Sequence, residues 1–558
     1  MLLLGVHSGW SDAGAALFDD YRLLAAVPLS RISGMSHDGG RLPVEAIADC
    51  LEIANVRPGD VAGLALSRGV FPGRHYRTLS LPRRVSRGLR HLLGRDTPIS
   101  LAQESQRKKA SAESLLDLPM LAGDLGLNRH IQTRLYTHHA AHALLALNEA
   151  GFTDGLIFTA DNGADGVAYS AQVLKFGRLA SFYSDGVDAA RGQAALGQLV
   201  DLAVAGLDLP DATALFALAQ QGEPVFAQAL HAHVRVDADG HILSDFAADG
   251  GAERWLRALA EGHPPALIAA SLARLIADIL GLAITRLLQR HELSSLALGG
   301  SLFADPWLLQ ALQQRLPDVT ICVQAATDDT LLPLGGALDY LLQRDGIGGF
   351  LRGRRPLREA DWGRDYAPDI DPVLANAGCR LVSRDPLQAA AALLHAGKTV
   401  AAYGRRAGGV DGGAARVILF SGALAGAAAN VNLRLDRPGF LAPKLYAPRD
   451  ALADLVPGSD SRDPAMAQAL AERWRPQLPA ALASGTLLQV AAVDEQAQPL
   501  LHDLLTTYKA LSWLPALLGV PMQVGQEPVL DAPGEVIRLL QDDRVDYLVT
   551  EHAVWEKA

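Results

Sequence analysis

The chain has 558 residues, more than one hydrophobic core usually supports, so two or three domains are expected. Its composition, 49% hydrophobic and 20% charged, is that of a globular protein rich in the helix formers Ala and Leu. A formal net charge of −11 argues against nucleic acid as a partner, and three scattered cysteines (Cys50, Cys322, Cys379) provide neither a disulfide framework nor a zinc pattern.

In chain order, Met1 to Val6 lacks a basic leader and reads as a first strand rather than a signal peptide, which points to a cytoplasmic protein. Strand, turn, strand, turn, strand follows through Val27, then a helix over 43–54 with Val44, Ile47 and Leu51 at helical spacing, then a strand from Val61 to Leu66. Residues 71–110 carry ten basic side chains, from Arg74 to Lys109, against Asp96 and Glu104. Such a run is usually a solvated insertion; the sharper alternative is a surface that steers an anionic acceptor. Strands are expected at Gly155–Ala160 and Val167–Val173, and 189–288 reads as a nearly all-helical insertion. Its most apolar stretch, Ala266 to Leu288, is broken by Arg274, Asp278 and Arg286, which suits a core helix and not a membrane span. A strand at Leu296–Gly300, a helix at Pro306–Arg315, a strand at Val319–Val323 and a helix opened by Gly335-Gly336-Ala337 complete an N-terminal domain over 1–345. A Gly-, Arg- and Pro-rich linker at 346–366 then leads to a C-terminal α/β domain over 367–558.

The chemistry concentrates in two places. His138 and His142 stand at i and i+4, so on a helix they share one face about 6 Å apart. The apolar lead-in Leu156-Ile157-Phe158 stops at Asp161 and a glycine turn, and Asp12 and Asp329 occupy similar strand-end positions. In α/β sheets ligands gather at the carboxyl ends of strands. Any one of these aspartates is more often a cap or turn residue, and HxxxH is common on helices. Taken together, His138, His142, Asp161 and Asp329 suit a divalent iron, manganese or zinc ion, and spacing does not choose among them.

At this point the sequence resembles the NodU/CmcH family of O-carbamoyltransferases over essentially its whole length. The resemblance rests on Gly14-Ala15-Ala16-Leu17 through Arg31 to His37-Asp38-Gly39-Gly40, and on His138-His139-Ala140-Ala141-His142-Ala143. It also rests on Asp161, Leu298-Gly299-Gly300-Ser301-Leu302-Phe303-Ala304-Asp305, Asp329 with Gly335-Gly336-Ala337, and the closing Gln526-Glu527-Pro528-Val529 and Asp546-Tyr547-Leu548-Val549. It implies an N-terminal ASKHA domain of duplicated ribonuclease H-like type and a C-terminal YrdC-like domain. The C-terminal domain would convert carbamoyl phosphate and ATP into carbamoyl adenylate, and the N-terminal domain would pass the carbamoyl group to a hydroxyl of a sugar or other small metabolite, anionic acceptors included. By the resemblance the metal, iron, is held by His138, His142, Asp161 and Asp329. The catalytic residues are Asp12, Arg31 and His139; Gly163, Gly299, Gly300 and Asp305 contact the nucleotide; Arg405, Arg416 and Arg434 take carbamoyl phosphate.

Departures from the family pattern run in one direction. The N-terminal "HD" pair reads Ser11-Asp12, and the basic run before His37 is thinned. The arginine-rich C-terminal element keeps Arg405 and Arg416 but loses its glutamate and middle arginine. A small dianion needs several converging guanidinium or ammonium groups, so an eroded carbamoyl-phosphate pocket is expected. Two readings follow: a divergent carbamoyltransferase, alone or as a homodimer, or a pseudoenzyme that keeps metal and nucleotide binding and pairs with an intact paralogue. An ASKHA-type kinase is a weaker third reading, against which the HxxxH pair counts.

Overall fold

The computed structural model describes residues 1–77, 98–161, 167–183, 196–244, 251–324, 329–357, 362–406, 415–458, 463, 465–482 and 485–558. Two compact units emerge. One comprises Met1–Gly197, His291–Leu302 and Cys322–Gly363; the other comprises Gln198–Arg290, Phe303–Ile321 and Arg364–Ala558. This grouping differs from boundaries drawn at 345 and 367, because the helical insertion belongs with the C-terminal part of the chain. Ala214 and Ala217 of the insertion share an apolar cluster with Phe440 and Leu441.

The first unit contains strands β1 (Leu2–Ser8), β2 (Ala13–Asp19), β3 (Arg22–Pro28), β4 (Gly63–Ser67), a short pair β5 (Val70–Phe71) and β6 (Ile99–Ser100), and β7 (Gln132–Tyr136). These are followed by β8 (Gly155–Ala160), β9 (Tyr169–Lys175), β10 (Arg178–Tyr183), β13 (Ser295–Gly299) and β14 (Thr320–Val323), with a hairpin β11 (Val234–Val236) and β12 (Ile242–Ser244) between them in sequence. Among the described residues the first sheet runs β3-β2-β1-β4-β7 and the second β10-β9-β8-β13-β14. In both, the first strand pairs antiparallel with the second and parallel with the fourth. One fold has therefore been built twice, which is the duplicated ribonuclease H-like, ASKHA architecture of a mixed α/β protein. The central strands β1 and β8 are apolar nearly throughout because both faces are covered.

Each sheet's last strand feeds a helix, His138–Glu149 after β7 and Leu332–Gly353 after β14. The two helices meet at glycine. A Cβ on Gly335 would lie 2.2 Å from the Ala141 carbonyl oxygen, and one on Gly336 would strike the Tyr136 ring. These glycines lie in the helix's first turns rather than opening it. The helix starts at Leu332 with Pro333 at its head, and glycine is needed for close packing. Past Gly346, whose φ is +67°, the helix resumes to Gly353, so part of the expected linker is helical.

Other expectations shift locally. The 189–288 region holds helices at Leu196–Gly206, Ala212–Ala219, Ala227–His231, Gly251–Ala260 and Pro265–His291, interrupted by the β11–β12 hairpin. Helix Pro265–His291 is long and apolar enough to cross a membrane, and 72% of its apolar window is buried. In the basic segment, Phe71, Tyr76 and Leu101 belong to the core of the first unit, so its ends are anchored; residues 78–97 lie outside the described set.

The second unit is organised on β15 (Arg380–Ser383), β16 (Val400–Tyr403), β17 (Arg416–Phe420), β18 (Lys444–Pro448), β19 (Ala467–Ala469), β20 (Leu487–Val493), β21 (Leu517–Pro521), β22 (Tyr547–Val549) and β23 (Val554–Glu556), in the order β15-β23-β22-β16-β17-β21-β18-β20-β19. Helices Pro386–His395 and Pro499–Ser512 supply one apolar layer (Leu394, Leu501, Leu505, Tyr508). Helices Ala367–Asn376 and Pro533–Gln541 contribute to another (Ile370, Leu374, Val536, Leu540).

Backbone contact at the helix crossing leaves no room to yield. Gly335→Ala is expected to destabilise the first unit by about 1–3 kcal/mol through overpacking. Gly348→Ala, further along the same helix with only Arg352 Nη1 at 3.5 Å, should be neutral or stabilising. Thermal unfolding of the two variants checks the contrast.

Candidate metal centre

Thr137 caps the histidine helix, its hydroxyl accepting from the Ala140 amide, so that His138 and His142 project from the first two turns. Their Nε2 atoms stand 3.1 Å apart. Asp161, just beyond the end of β8, places Oδ2 at 3.0 Å from His138 Nε2 and 3.2 Å from His142 Nε2. Asp329 opens the single turn before helix Leu332–Gly353, and its Oδ1 lies 3.5 and 3.4 Å from the same two nitrogens. Nitrogen and oxygen donors bonded tetrahedrally to zinc at about 2.0–2.2 Å are about 3.3–3.6 Å apart. The edges of this cluster that involve the two imidazoles, 3.0–3.5 Å, are close to that spacing.

The surrounding groups orient the donors. Ser301 donates its hydroxyl to Asp161 Oδ1 at 2.5 Å and its amide to Oδ2 at 3.4 Å. The Gln324 side-chain amide lies against His142 Nδ1, its nitrogen at 3.1 Å and its oxygen at 3.3 Å, which leaves Nε2 facing the cluster. Burial alone would raise the pKa of Asp161, but hydrogen bonds and charge from His138 and His142 outweigh it and hold the carboxyl well below the usual range. Burial likewise works against charge on His142, yet Asp161 and Asp329 raise its pKa. Asp329 Oδ1 is buried and makes no hydrogen bond of good geometry among the described residues. Two facing imidazole nitrogens and two carboxylates, their donor atoms all within 4.8 Å of one another, form a donor set that fits a divalent cation.

The other candidate residues are placed differently. His139 turns away from the cluster: Nδ1 meets Thr159 Oγ1 at 2.7 Å, and Nε2 donates to the Val167 carbonyl at 2.9 Å. Burial, with His138 nearby, pushes its pKa down to about 3. It is a neutral core histidine with both nitrogens engaged, not a proton carrier at the site. Gly299 and Gly300 are there for packing. A Cβ on Gly299 would lie 2.7 Å from the His142 carbonyl oxygen, and Gly300 has φ +101° with the Ala160 carbonyl oxygen 2.3 Å from its Cβ position. Asp305 is the N-cap of helix Pro306–Arg315, accepting from the Leu308 amide at 2.7 Å, so its buried carboxyl serves the helix rather than a nucleotide. Gly163 lies outside the described residues. Asp12, between β1 and β2, stands 3.4 Å from His37 Nδ1, and Arg31 lies on the short helix Leu29–Ser33.

The three arginines assigned to carbamoyl phosphate each meet a different carboxylate. Arg405 pairs with Asp365 at 3.0 Å and Arg434 with Asp546 at 3.2 Å. Arg416 is fully buried, 3.7 Å over the Tyr403 ring, donating to the Gly404 and Ala415 carbonyls and 2.9 Å from Asp531. His7, Ser301 and Gln324 went unassigned in the sequence. Of these, only Ser301 stands in a quoted motif.

Residues 391–557 match the family model of the carbamoyltransferase C-terminus. This stretch supports carbamoyl transfer as the general chemistry. No curated protein matches the chain. Among solved structures it is similar to the ROK hexokinase of Thermus thermophilus, with 17% identity over 62% of this chain and all of that one and a TM-score of 0.32. It is similar also to component A of (R)-2-hydroxyglutaryl-CoA dehydratase of Acidaminococcus fermentans, with 12% identity over 64% of this chain and all of that one and a TM-score of 0.34. A third is a ROK family glucokinase of Streptomyces griseus, solved with glucose and AMPPNP, with 16% identity over 62% of this chain and all of that one and a TM-score of 0.30.

Two outcomes follow. Ser301→Ala should weaken binding of one divalent cation per chain about 10–100-fold, the usual effect of losing an orienting partner, and Asp161→Asn should weaken it further; competition against a chelator measures both. Burial raises the pKa of Asp305 to about 7. The unfolded chain loses this proton near 3.8 and the folded chain only near 7, so stability is lost as pH climbs through that interval. Asp305→Asn keeps a capping oxygen and should therefore leave the unfolding temperature unchanged at pH 3 and raise it at pH 8.

Proposed function

We propose that the chain transfers a carbamoyl group onto a hydroxyl of a sugar or other small metabolite, with the first unit as the transfer site. The reading is carried by the convergence of His138, His142, Asp161 and Asp329 in a chain whose residues 391–557 match the carbamoyltransferase C-terminus. A divalent metal held there (iron by the resemblance, manganese or zinc equally by donor chemistry) would act as a Lewis acid toward the carbamoyl carbonyl. In the transfer the acceptor oxygen bonds to the carbamoyl carbon, the bond from that carbon to the adenylate phosphate oxygen breaks to release AMP, and the hydroxyl proton passes to the Asp12 carboxylate. Asp12 is the carboxylate we assign to the acceptor side, with Arg31 as a cation for an anionic acceptor. The paired state of His139 removes it from this scheme.

The arginine pairings favour a division of labour. Arg405, Arg416 and Arg434 are each turned to a separate aspartate, and Arg416, the buried one, could take a dianion only by giving up Asp531. In this form of the proposal the carbamoyl adenylate comes from another protein, an intact paralogue being the natural source, and ATP is consumed there.

Metal-loaded chain given carbamoyl phosphate and ATP is expected to release no pyrophosphate above background. The same chain should convert chemically prepared carbamoyl adenylate to AMP faster than Asp161→Asn in the presence of a hydroxyl acceptor. Sustained pyrophosphate release would restore the self-sufficient reaction, and indifference of carbamoyl adenylate to the metal-loaded chain would reject the transfer site.

A further inference from the structure

His7 stands near the end of β1, whose alternation puts Gly5 and His7 on one face and Val6 and Ser8 on the other. That face is covered by the segment running from Asp329 into helix Leu332–Gly353. A Cβ on Gly5 would lie 2.0 Å from the Pro333 carbonyl oxygen. Gly14, opposite His7 in register, would bring one 3.0 Å from the Thr330 carbonyl oxygen. His7 is therefore directed toward the strand-end rim that carries Asp329. The residue is 5% exposed, and its Nδ1 is buried with no hydrogen-bond partner among the described residues.

Burial lowers the pKa of this imidazole to about 4, with Asp329 and Asp12 pulling it up and His138 and His142 pushing it down. Two of the groups acting on it are the facing histidines of the cluster, and a third is its second carboxylate. The contrast with His139 is informative, since that equally buried ring has both nitrogens engaged. Native proteins leave a buried polar atom unpaired chiefly where an ion, a water or a ligand arrives.

We propose that His7, through Nδ1, is the hydrogen-bonding group for the small donor ligand that joins His138, His142, Asp161 and Asp329 at the metal, and so selects which oxygen of carbamoyl donor or acceptor enters the centre. The inference rests on the metal reading of those four residues. His7 is then a polar contact for the incoming ligand and not itself a metal ligand, which separates its role from that of the four. Asparagine at position 7 can present a polar atom close to where Nδ1 stands, and phenylalanine fills the space without one.

Cobalt(II) provides the readout, because its visible absorption reports both metal binding and entry of azide as an added donor. The full chain and the variants His7→Phe and His7→Asn are titrated first with Co2+ and then with azide. Co2+ affinity is expected to stay within threefold in both variants. Azide affinity should fall at least tenfold in His7→Phe and stay within threefold of the parent in His7→Asn. Unchanged azide affinity in His7→Phe overturns the proposal. So does loss of Co2+ from either variant, which would make His7 a ligand of the metal or part of its scaffold. Should His7→Phe not fold, His7→Asn carries the test against His7→Leu under the same criteria. Failure of the unsubstituted chain to bind Co2+ rejects the metal reading itself, a result distinct from normal Co2+ binding with azide indifferent to position 7.

Discussion

Donor atoms 3.0–3.5 Å apart can be gathered from a helix, a strand end and a single helical turn only if the backbones carrying them approach more closely than side chains normally allow. In the first unit glycine makes that possible. Gly335 admits the Ala141 carbonyl, Gly336 the Tyr136 ring, Gly5 the Pro333 carbonyl, Gly299 the His142 carbonyl and Gly300 the Ala160 carbonyl. Four of these contacts are with backbone, so none can be relieved by turning a side chain. The two halves of the duplicated fold are thereby pressed together where the histidine helix and the helix after Asp329 cross, and the cluster lies at that seam. Moving either helix outward by the width of a methyl group would widen the cluster edges that join Asp329 to the histidines.

Much of this was legible in the sequence. The bounds of β8 and of helix Pro306–Arg315 coincide with the expected Gly155–Ala160 and Pro306–Arg315, because an apolar run ending at Asp161 and a capped Pro-initiated helix are strong local signals. HxxxH spacing placed His138 and His142 on one face, and the strand-end aspartates supplied the remaining donors. What the sequence concealed depends on contacts distant along the chain. Nothing local distinguishes Gly299 as a packing residue from Gly299 as a phosphate loop; the distinction is made by His142, which precedes it by more than 150 residues. His139 sits between the two histidines of the motif, yet one step around the helix turns it toward Thr159 and the Val167 carbonyl. The β11–β12 hairpin was lost inside a helical composition because strands of three residues barely register in a periodicity window.

The two units treat charge in opposite ways. In the first, two buried imidazoles and two carboxylates face one another. Desolvation works against ionisation of Asp161 and Asp329, and the neighbouring imidazoles are what lower both carboxyls. In the second, the charge of Arg416 is closed off. Arg416 has a ring beneath it, two carbonyls at one nitrogen and Asp531 at the other. Removing one partner of a buried pair leaves the other uncompensated, at a cost of about 3–5 kcal/mol, so a ligand competing for Arg416 would have to supply at least that much. Within the stretch 391–557, which matches a carbamoyltransferase domain, Arg416 is thus committed to its own sheet and to Asp531.

This difference gives a physical criterion for dividing a two-step transfer between proteins. A site that binds a small dianion must keep its guanidinium groups solvated or loosely paired, whereas one that binds a divalent cation must keep its carboxylates and imidazoles aimed at a common point. The chain meets the second requirement with His138, His142, Asp161 and Asp329, whereas Arg416, buried against Asp531, does not meet the first. On the proposed division, changes at the three arginines need not disturb the cluster, because the glycine contacts that shape it all lie within the first unit and involve none of them. Selection can then relax on one step while the geometry of the other is retained, and it is the strand-end rim carrying Asp329, toward which the His7 face of β1 is turned, that such a chain would keep under constraint.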